Sequence, residues 1–263
     1  MRLPVSCFII AQDEADRIAA SIRSVRGWVD EVIVVDSGST DDTVAVAEAE
    51  GARVIYNPWP GFGQQKRFAE EHCRNDWLLN IDADEVITPE LATEIQALFA
   101  DGAPSLAVYG MSVNLVYPGW QRPRPWARDH YCLRFYDRRR ARFRDSTLHD
   151  SVVPDGGAVG HLRGVVHHHS IRSLAHLECK CDARASYQAM HARPKSALLL
   201  RLRLVTDLPT SFLKYYFGRR HVTGGMMGFI VAWIIAYYRW VRVLRMYRYQ
   251  RASAAQSPMG QIT

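Results

Sequence analysis

Asp82, Asp84 and Glu85 place three carboxylates within four positions, directly after the largely apolar run Trp77-Leu78-Leu79-Asn80-Ile81. Carboxylates this close repel one another unless positive charge stands between them. Hard oxygen ligands of this kind suit Mg²⁺ or Mn²⁺. A solvated acidic turn ahead of the helix that starts near Pro89 would use the same residues, so the reading depends on what arrives beside them. Two further acidic groups qualify, Asp13-Glu14 and the Asp36 that opens Ser37-Gly38-Ser39-Thr40-Asp41-Asp42-Thr43. His167, His168 and His169, followed by Cys179-x-Cys181, look like a zinc signal. Successive residues of an extended strand point to opposite faces, so the three histidines cannot share one ion. One of them, taken as His168, is expected to join Asp82 and Asp84 at a metal.

These residues need a scaffold that delivers them to one place. Residues 5–10 are a short apolar run, as expected of a parallel strand covered on both faces, and Gln12-Asp13-Glu14 lies at its carboxyl end. Ile18, Ile22 and Val25 recur at helical spacing and predict a helix over 14–25. Residues 31–35 form a second strand that delivers Asp36 into a tight turn at Gly38, with Thr40 or Asp41 as N-cap of the next helix. Residues 53–56 make a third strand. Repeated strand–helix units predict an α/β fold with an open, mostly parallel, doubly wound sheet, whose ligands bind outside the carboxyl ends of the strands. Asp13, Asp36 and Asp82 all fall at that edge. Further along, helices are expected over 64–73, 89–99 and 173–191, and strands over 77–81, 108–116, 151–153 and 164–169. The proline-rich stretch 117–126 reads as a loop of the kind that covers a site. Residues 134–144 carry six arginines, which form either a solvated strand pair or a phosphate-facing surface.

The chain has 263 residues, 48% hydrophobic and 23% charged, a globular composition that suits one catalytic domain with an appendage. Its net charge of +6 is uneven: residues 197–251 hold ten Lys/Arg against one acid, Asp207, which leaves the remainder mildly acidic. A basic, apolar segment on such a body points to an anionic membrane surface and away from nucleic acid. Five cysteines without framework spacing suit a reducing compartment. The apolar N-terminus lacks a small-residue cleavage site and reads as a core strand, not a signal peptide. Residues 222–238 are free of charge, but as a helix they span only about 25 Å against the roughly 30 Å hydrocarbon core. Arginines follow at 239, 242, 245, 248 and 251, so an interfacial or re-entrant helix pair is expected over a full span. The expected organisation is a catalytic domain over 1–196, a membrane-associated helical segment over 197–251 and a disordered tail over 252–263.

Laid out this way, the sequence resembles family 2 glycosyltransferases of the GT-A fold, and within them the bacterial branch that includes lipopolysaccharide core glucosyltransferases. The resemblance rests on Val34-Val35-Asp36-Ser37-Gly38-Ser39-Thr40-Asp41-Asp42-Thr43, on Trp59-Pro60-Gly61-Phe62-Gly63-Gln64-Gln65-Lys66, and on Asp76-Trp77 through Asp82-Ala83-Asp84-Glu85. It continues more loosely through Leu148-His149-Asp150 and the basic, aromatic C-terminal helices. It implies a Rossmann-like, mixed but mostly parallel sheet, with a nucleotide-sugar donor, a UDP-sugar by default, at the carboxyl edge. Glu14 and Asp36 would hold the nucleoside with Asp13 beside them, and Lys66 would stand near the nucleotide. Asp82 would approach ribose and metal, and Asp84 would ligate a Mg²⁺ or Mn²⁺ that bridges the diphosphate. Inverting transfer needs a base for the acceptor hydroxyl. Asp150 stands where relatives usually carry Glu, with His149 as second choice and Glu85 as third. Gln12-Asp13-Glu14 departs from the Lys-Asn-Glu that relatives often have. The Gln-x-x-Arg-Trp motif of processive synthases is absent, which implies transfer of a single sugar. The implied acceptor is lipid-linked or lipopolysaccharide core, at the cytoplasmic face of a bacterial inner membrane, with a polyprenyl phosphate as the alternative. Nucleotidyltransfer would call for a Gly-rich phosphate loop after the first strand, where Gln12-Asp13-Glu14 stands. A non-catalytic membrane scaffold is opposed by the intact Asp82/Asp84 pair.

Overall fold

The computed structural model describes residues 2–127, 129–147 and 150–256. Apolar strands alternate with amphipathic helices in its first part, as the sequence pattern requires. In chain order these are β1 (Leu3–Ala11), α1 (Ile18–Val25), β2 (Val29–Asp36), α2 (Thr43–Ala49), β3 (Arg53–Tyr56), α3 (Phe62–His72), β4 (Trp77–Asn80) and β5 (Glu85–Ile87). There follow α4 (Pro89–Ala97), β6 (Val108–Leu115), β7 (His130–Asp137), β8 (Ala141–Phe143), β9 (Val152–Pro154) and β10 (Val159–His168). The expected helix over 14–25 begins only at Ile18. The Glu14 carbonyl accepts from the Arg17 and Ile18 amides in a turn, while the Glu14 amide donates to Thr43 Oγ1.

Eight strands form one sheet in the order β3-β2-β1-β4-β7-β6-β10-β5, and β8 pairs with β9. β3, β2, β1 and β4 are mutually parallel. β7 runs antiparallel to β4 and β6, β10 is parallel to β6, and β5 is antiparallel to β10. Both faces are covered. Val5, Cys7 and Ile9 pack with Ile18, Ile22 and Val25 of α1, whereas Phe8, Ile33 and Val35 pack with Ala69 and Phe143. Strands buried on both faces read as continuous apolar runs, which is why β1 and β2 were legible.

The position of β5 shapes the site. In a flat sheet β4 and β5 would stand four strand spacings apart, about 19 Å. The five residue steps from Asn80 to Glu85 reach at most about 17 Å. The sheet therefore curls, and the segment carrying Asp82 and Asp84 runs along the carboxyl edge.

The chain divides into two compact units elsewhere than at the expected 196/197 boundary. The first holds the residues up to Leu115 and the described residues of 128–170; the second holds Val116–Ala127 and the described residues from Ile171 onward. The second unit contains α5 (Leu174–Met190), α6 (Ala197–Leu213) and α7 (Gly225–Gln256). α5 belongs here because arginines of α7 grip it: Arg245 reaches Asp182 Oδ1 at 2.7 Å, and Arg242 reaches Gln188 Oε1 at 3.0 Å. The 117–126 loop was expected to cover a site. That loop belongs to the second unit, where its buried Arg124 donates to the Arg219 carbonyl at 2.6 Å and the Arg220 carbonyl at 3.2 Å, fastening the turn between α6 and α7. Of the expected disordered tail, 252–256 continue α7 and 257–263 lie outside the described residues. The stretch His221–Ala252 is long and apolar enough to cross a membrane by length and composition, with 39% of its most apolar window buried within the protein.

Candidate active site

All the site residues discussed below lie in the first unit, and they fall into three groups. The first joins the loops after β1 and β2. Asp36 is buried, and its carboxylate accepts from the Gly38 and Ser39 amides, each at 2.9 Å, and from the Ser39 hydroxyl. Gly38 has φ +96°, a conformation open to glycine at little cost. Asp13 donates from its amide to Ser39 Oγ at 2.9 Å and accepts at Oδ1 from the Thr40 amide at 2.8 Å. Glu14 follows, with its carboxylate against Arg17. Asp41 accepts from the Thr43 amide at 3.0 Å and the Ala15 amide at 3.1 Å, so it too ties the loops together. Asp13, Glu14 and Asp36, the expected donor-binding acids, thus sit on one braced loop pair.

Lys66 of α3 is the centre of the second group. Its side chain is 1% exposed, and its ammonium lies 3.0 Å from Asp82 Oδ1 and 3.0 Å from Asp150 Oδ2. The Phe143 ring stands 5.1 Å from the ammonium. Arg134 of β7 meets Asp82 from another side: its Nη2 is 3.1 Å from Asp82 Oδ2 and 3.4 Å from Glu85 Oε1, and its Nη1 donates to Asn80 Oδ1. Burial alone would raise the Asp82 carboxyl, but Arg134 and Lys66 outweigh it and hold it well below the usual carboxylate range. Burial also raises Glu85, and there it prevails over Arg134. Glu85 is 1% exposed and accepts from the Asp82 amide at 2.9 Å, so it shapes the turn and is too buried to meet an acceptor. His149 lies outside the described residues.

Asp84 forms the third group. Its Oδ1 is 3.4 Å from His168 Nε2, and its Oδ2 is 3.5 Å from Arg17 Nη1. Arg17 also donates to the His169 carbonyl at 2.9 Å, and the His169 amide donates to the Asp84 carbonyl at 2.8 Å. The acidic turn is thereby fastened to the end of β10. Burial opposes ionisation of both partners, yet the contact wins: Asp84 is lowered, chiefly by His168, and His168 is raised, chiefly by Asp84. At His169 burial prevails and lowers the imidazole.

Sequence reasoning missed Arg17 and Arg134 as parts of this arrangement. The available signal for Arg134 was a lone arginine set in the apolar stretch Cys132-Leu133-Arg134-Phe135-Tyr136. Four of the run's other five arginines are paired with carboxylates. Arg138 pairs with Asp76 at 3.2 Å, Arg139 with Asp137 at 2.6 Å, Arg140 with Asp155 at 2.7 Å, and Arg142 with Glu70 at 3.2 Å. Carboxylates already answer these four charges, Asp137 from within the run and the others from elsewhere in the first unit, while Arg144 is exposed.

Residues 6–159 match the family described as Glycosyl transferase family 2. The chain belongs to glycosyltransferase family 2. As a member of that family it is a glycosyltransferase of the nucleotide-sugar-dependent kind, and its curled, mostly parallel sheet with flanking helices is of the GT-A type. An uncharacterized glycosyltransferase of Rickettsia felis is 41% identical over 251 residues, spanning 92% of this chain and 89% of its own. The lipopolysaccharide core biosynthesis glycosyltransferase LpsC of Rhizobium meliloti is 28% identical over 261 residues, 94% of this chain and 93% of its own. Among solved structures, glucosyl-3-phosphoglycerate synthase from Mycobacterium tuberculosis, in complex with Mn²⁺, UDP and glucosyl-3-phosphoglycerate, aligns over 44% of both chains at 30% identity and a TM-score of 0.35. That likeness is too partial to carry residue assignments.

Among the described residues, no group of three or more His, Cys, Asp or Glu comes together as a metal cage. Mg²⁺-type ions are commonly held by one or two protein ligands and completed by water and substrate phosphates. Asp84 Oδ1 and His168 Nε2, 3.4 Å apart, are near the roughly 3 Å spacing of adjacent ligands on one octahedral ion. The pair fits. Asp82 fits less well, because Lys66 already takes its Oδ1 and Arg134 its Oδ2, whereas His168, as a neutral imidazole, would turn from partner of Asp84 to fellow ligand.

Proposed function

We propose that the protein is an inverting, divalent-metal-dependent enzyme that moves one hexose, glucose by default, from a UDP-sugar to a lipid-linked or lipopolysaccharide-core acceptor at the cytoplasmic face of a bacterial inner membrane. The observation that carries this reading is the Asp84–His168 pair at 3.4 Å, beside the Asp82–Lys66–Asp150 array on the carboxyl edge. Asp84 and His168 would hold the Mg²⁺ or Mn²⁺, which when bound offsets the negative charge that grows on the departing diphosphate. Asp13, Glu14 and Asp36 form the nucleoside side of the site, and their braced loops fix its shape before donor arrives. Asp82 faces the ribose, and Lys66 and Arg134 keep it ionised and oriented. Lys66 places its charge where the nucleotide's phosphates pass.

Asp150 is the proposed base. Its side chain is 44% exposed, so an acceptor hydroxyl reaches it, and Lys66 fixes one of its oxygens. An ionised carboxylate only accepts hydrogen bonds, and the oxygen that Lys66 leaves available takes the hydroxyl proton. The acceptor class is supported by LpsC, whose name assigns it to lipopolysaccharide core biosynthesis, and by the basic, apolar second unit. The test is a transfer assay with a UDP-sugar panel and lipopolysaccharide-core or polyprenyl-phosphate acceptors. Product should form with Mn²⁺ and stop with EDTA; full turnover in EDTA contradicts the metal role.

A further inference from the structure

The outward faces of α6 and α7 carry large apolar side chains that are exposed to solvent. On α6, Leu198, Leu202, Val205 and Leu213 recur at helical spacing on one side, with Leu198 78% and Val205 76% exposed. Thr206 and Thr210 beside that stripe turn their hydroxyls back onto the Leu202 and Thr206 carbonyls, so they ask nothing of a solvent. On α7, Met226 is 74% exposed and Trp233 is 47% exposed, on a stripe of the same kind. Ring contacts of Phe212 with Phe229 and Trp233 join the two stripes. The charge around them has one sign. Lys195, Arg201, Lys214 and Arg248 are exposed. Asp207, the only acid between 192 and 252, is bound on both oxygens by Arg203 at 2.9 Å.

We propose that this face is a docking surface for an anionic phospholipid bilayer, with α6 and α7 lying in the plane of the headgroups. The inference rests on the membrane-surface reading above and names the face that does it. Helices with an apolar stripe and basic flanks partition into such an interface through buried apolar area and attraction to anionic lipid. Lying flat also fits the inner side of α7. Arg239 donates to Ser211 Oγ at 3.2 Å, Arg242 to Gln188 Oε1 at 3.0 Å and Arg245 to Asp182 Oδ1 at 2.7 Å. A spanning α7 would have to abandon these contacts or draw the polar side of α5 into hydrocarbon, where unpaired polar groups are costly. α6 is about 25 Å long and contains Pro209, which makes it a poor span on its own.

Vesicle flotation of the full chain tests this directly, using phosphatidylcholine alone and phosphatidylcholine with about a third phosphatidylglycerol. The protein should float with the anionic vesicles, and the double variant Leu202→Glu/Val205→Glu should bind them about tenfold or more weakly. The milder Leu202→Ser/Val205→Ser should fall in between, and both variants should keep the far-UV circular dichroism of the parent. Failure of the parent to bind anionic vesicles, or parental binding by the Glu variant, overturns the proposal. A parental dimer that the Glu variant splits into monomers, with no vesicle binding, shows the face to be a contact between copies. Resistance to alkaline carbonate extraction shows a spanning helix and overturns the flat arrangement. UDP-sugar binding is read separately by thermal shift, so its loss with vesicle binding intact counts against the transferase reading alone.

Discussion

At the residue scale, the site is a network of charges in which cations are shared: Lys66 joins Asp82 to Asp150, and Arg134 joins Asp82 to Glu85. Asp82 stands between Lys66 and Arg134, and Asp84 between Arg17 and His168. This separates two acids that look equivalent in the sequence. Removing Arg134 leaves Glu85 and Asp82 without their shared guanidinium, and breaking a buried pair from one side typically costs about 3–5 kcal/mol. Arg134→Met should therefore lower the urea midpoint by that order of stability; an unchanged midpoint shows that the guanidinium does not hold the turn. Asp150→Asn keeps the side chain's shape and removes its basicity. It should retain UDP-sugar binding while transfer falls by about 10²–10⁴-fold, and near-parental turnover removes Asp150 as the base. The acidic turn was legible because its members are adjacent in the chain. Arg17 and Arg134 were not, because their partners Asp84 and Asp82 lie 67 and 52 residues away.

At the element scale, the parallel strands are apolar runs in the sequence, and the residues that follow their carboxyl ends, Asp13, Asp36 and Asp82, belong to one edge of the sheet. What sequence pattern could not supply was the place of β5, which pairs with β10 and so forces the curl around the site. Nor could it show that residues 14–17 form a turn, since the Thr43 hydroxyl that claims the Glu14 amide comes from the start of α2. Away from the site, Glu31 at the opposite end of β2 from Asp36 braces that strand. It accepts from the Ser6 hydroxyl at 2.7 Å, the Arg53 guanidinium at 2.8 Å and the Arg74 amide at 2.9 Å. Burial opposes its ionisation, but these donors outweigh it and lower its folded pKa from the ordinary value of about 4.3. A depressed folded pKa contributes stability that is complete above the unfolded value and is lost as pH falls through the folded one. The stability gap between the parent and Glu31→Gln should thus be constant near neutral pH and shrink below about pH 4. A gap that ignores pH contradicts the assigned role.

At the scale of the whole molecule, the family match ends at residue 159, within the first unit, whereas the Rickettsia felis relative extends over 92% of the chain and so includes the helices beyond it. The uneven charge was legible in composition, but its meaning was not. Arg239, Arg242 and Arg245, read from the sequence as membrane anchors, turn inward to hold the second unit together, and the apolar stripes of α6 and α7 are what remain outside. The proposed role of the Asp84–His168 pair is to bind donor diphosphate through a divalent ion. Thermal shift with UDP-sugars, with and without Mn²⁺, on the parent, Asp84→Ala and His168→Ala tests it most directly. The parent should gain stability from donor and Mn²⁺ together beyond what either gives alone, and both variants should lose that joint gain while unfolding cooperatively without ligand. Equal donor-induced shifts with and without Mn²⁺, or a joint gain kept by Asp84→Ala, would contradict it.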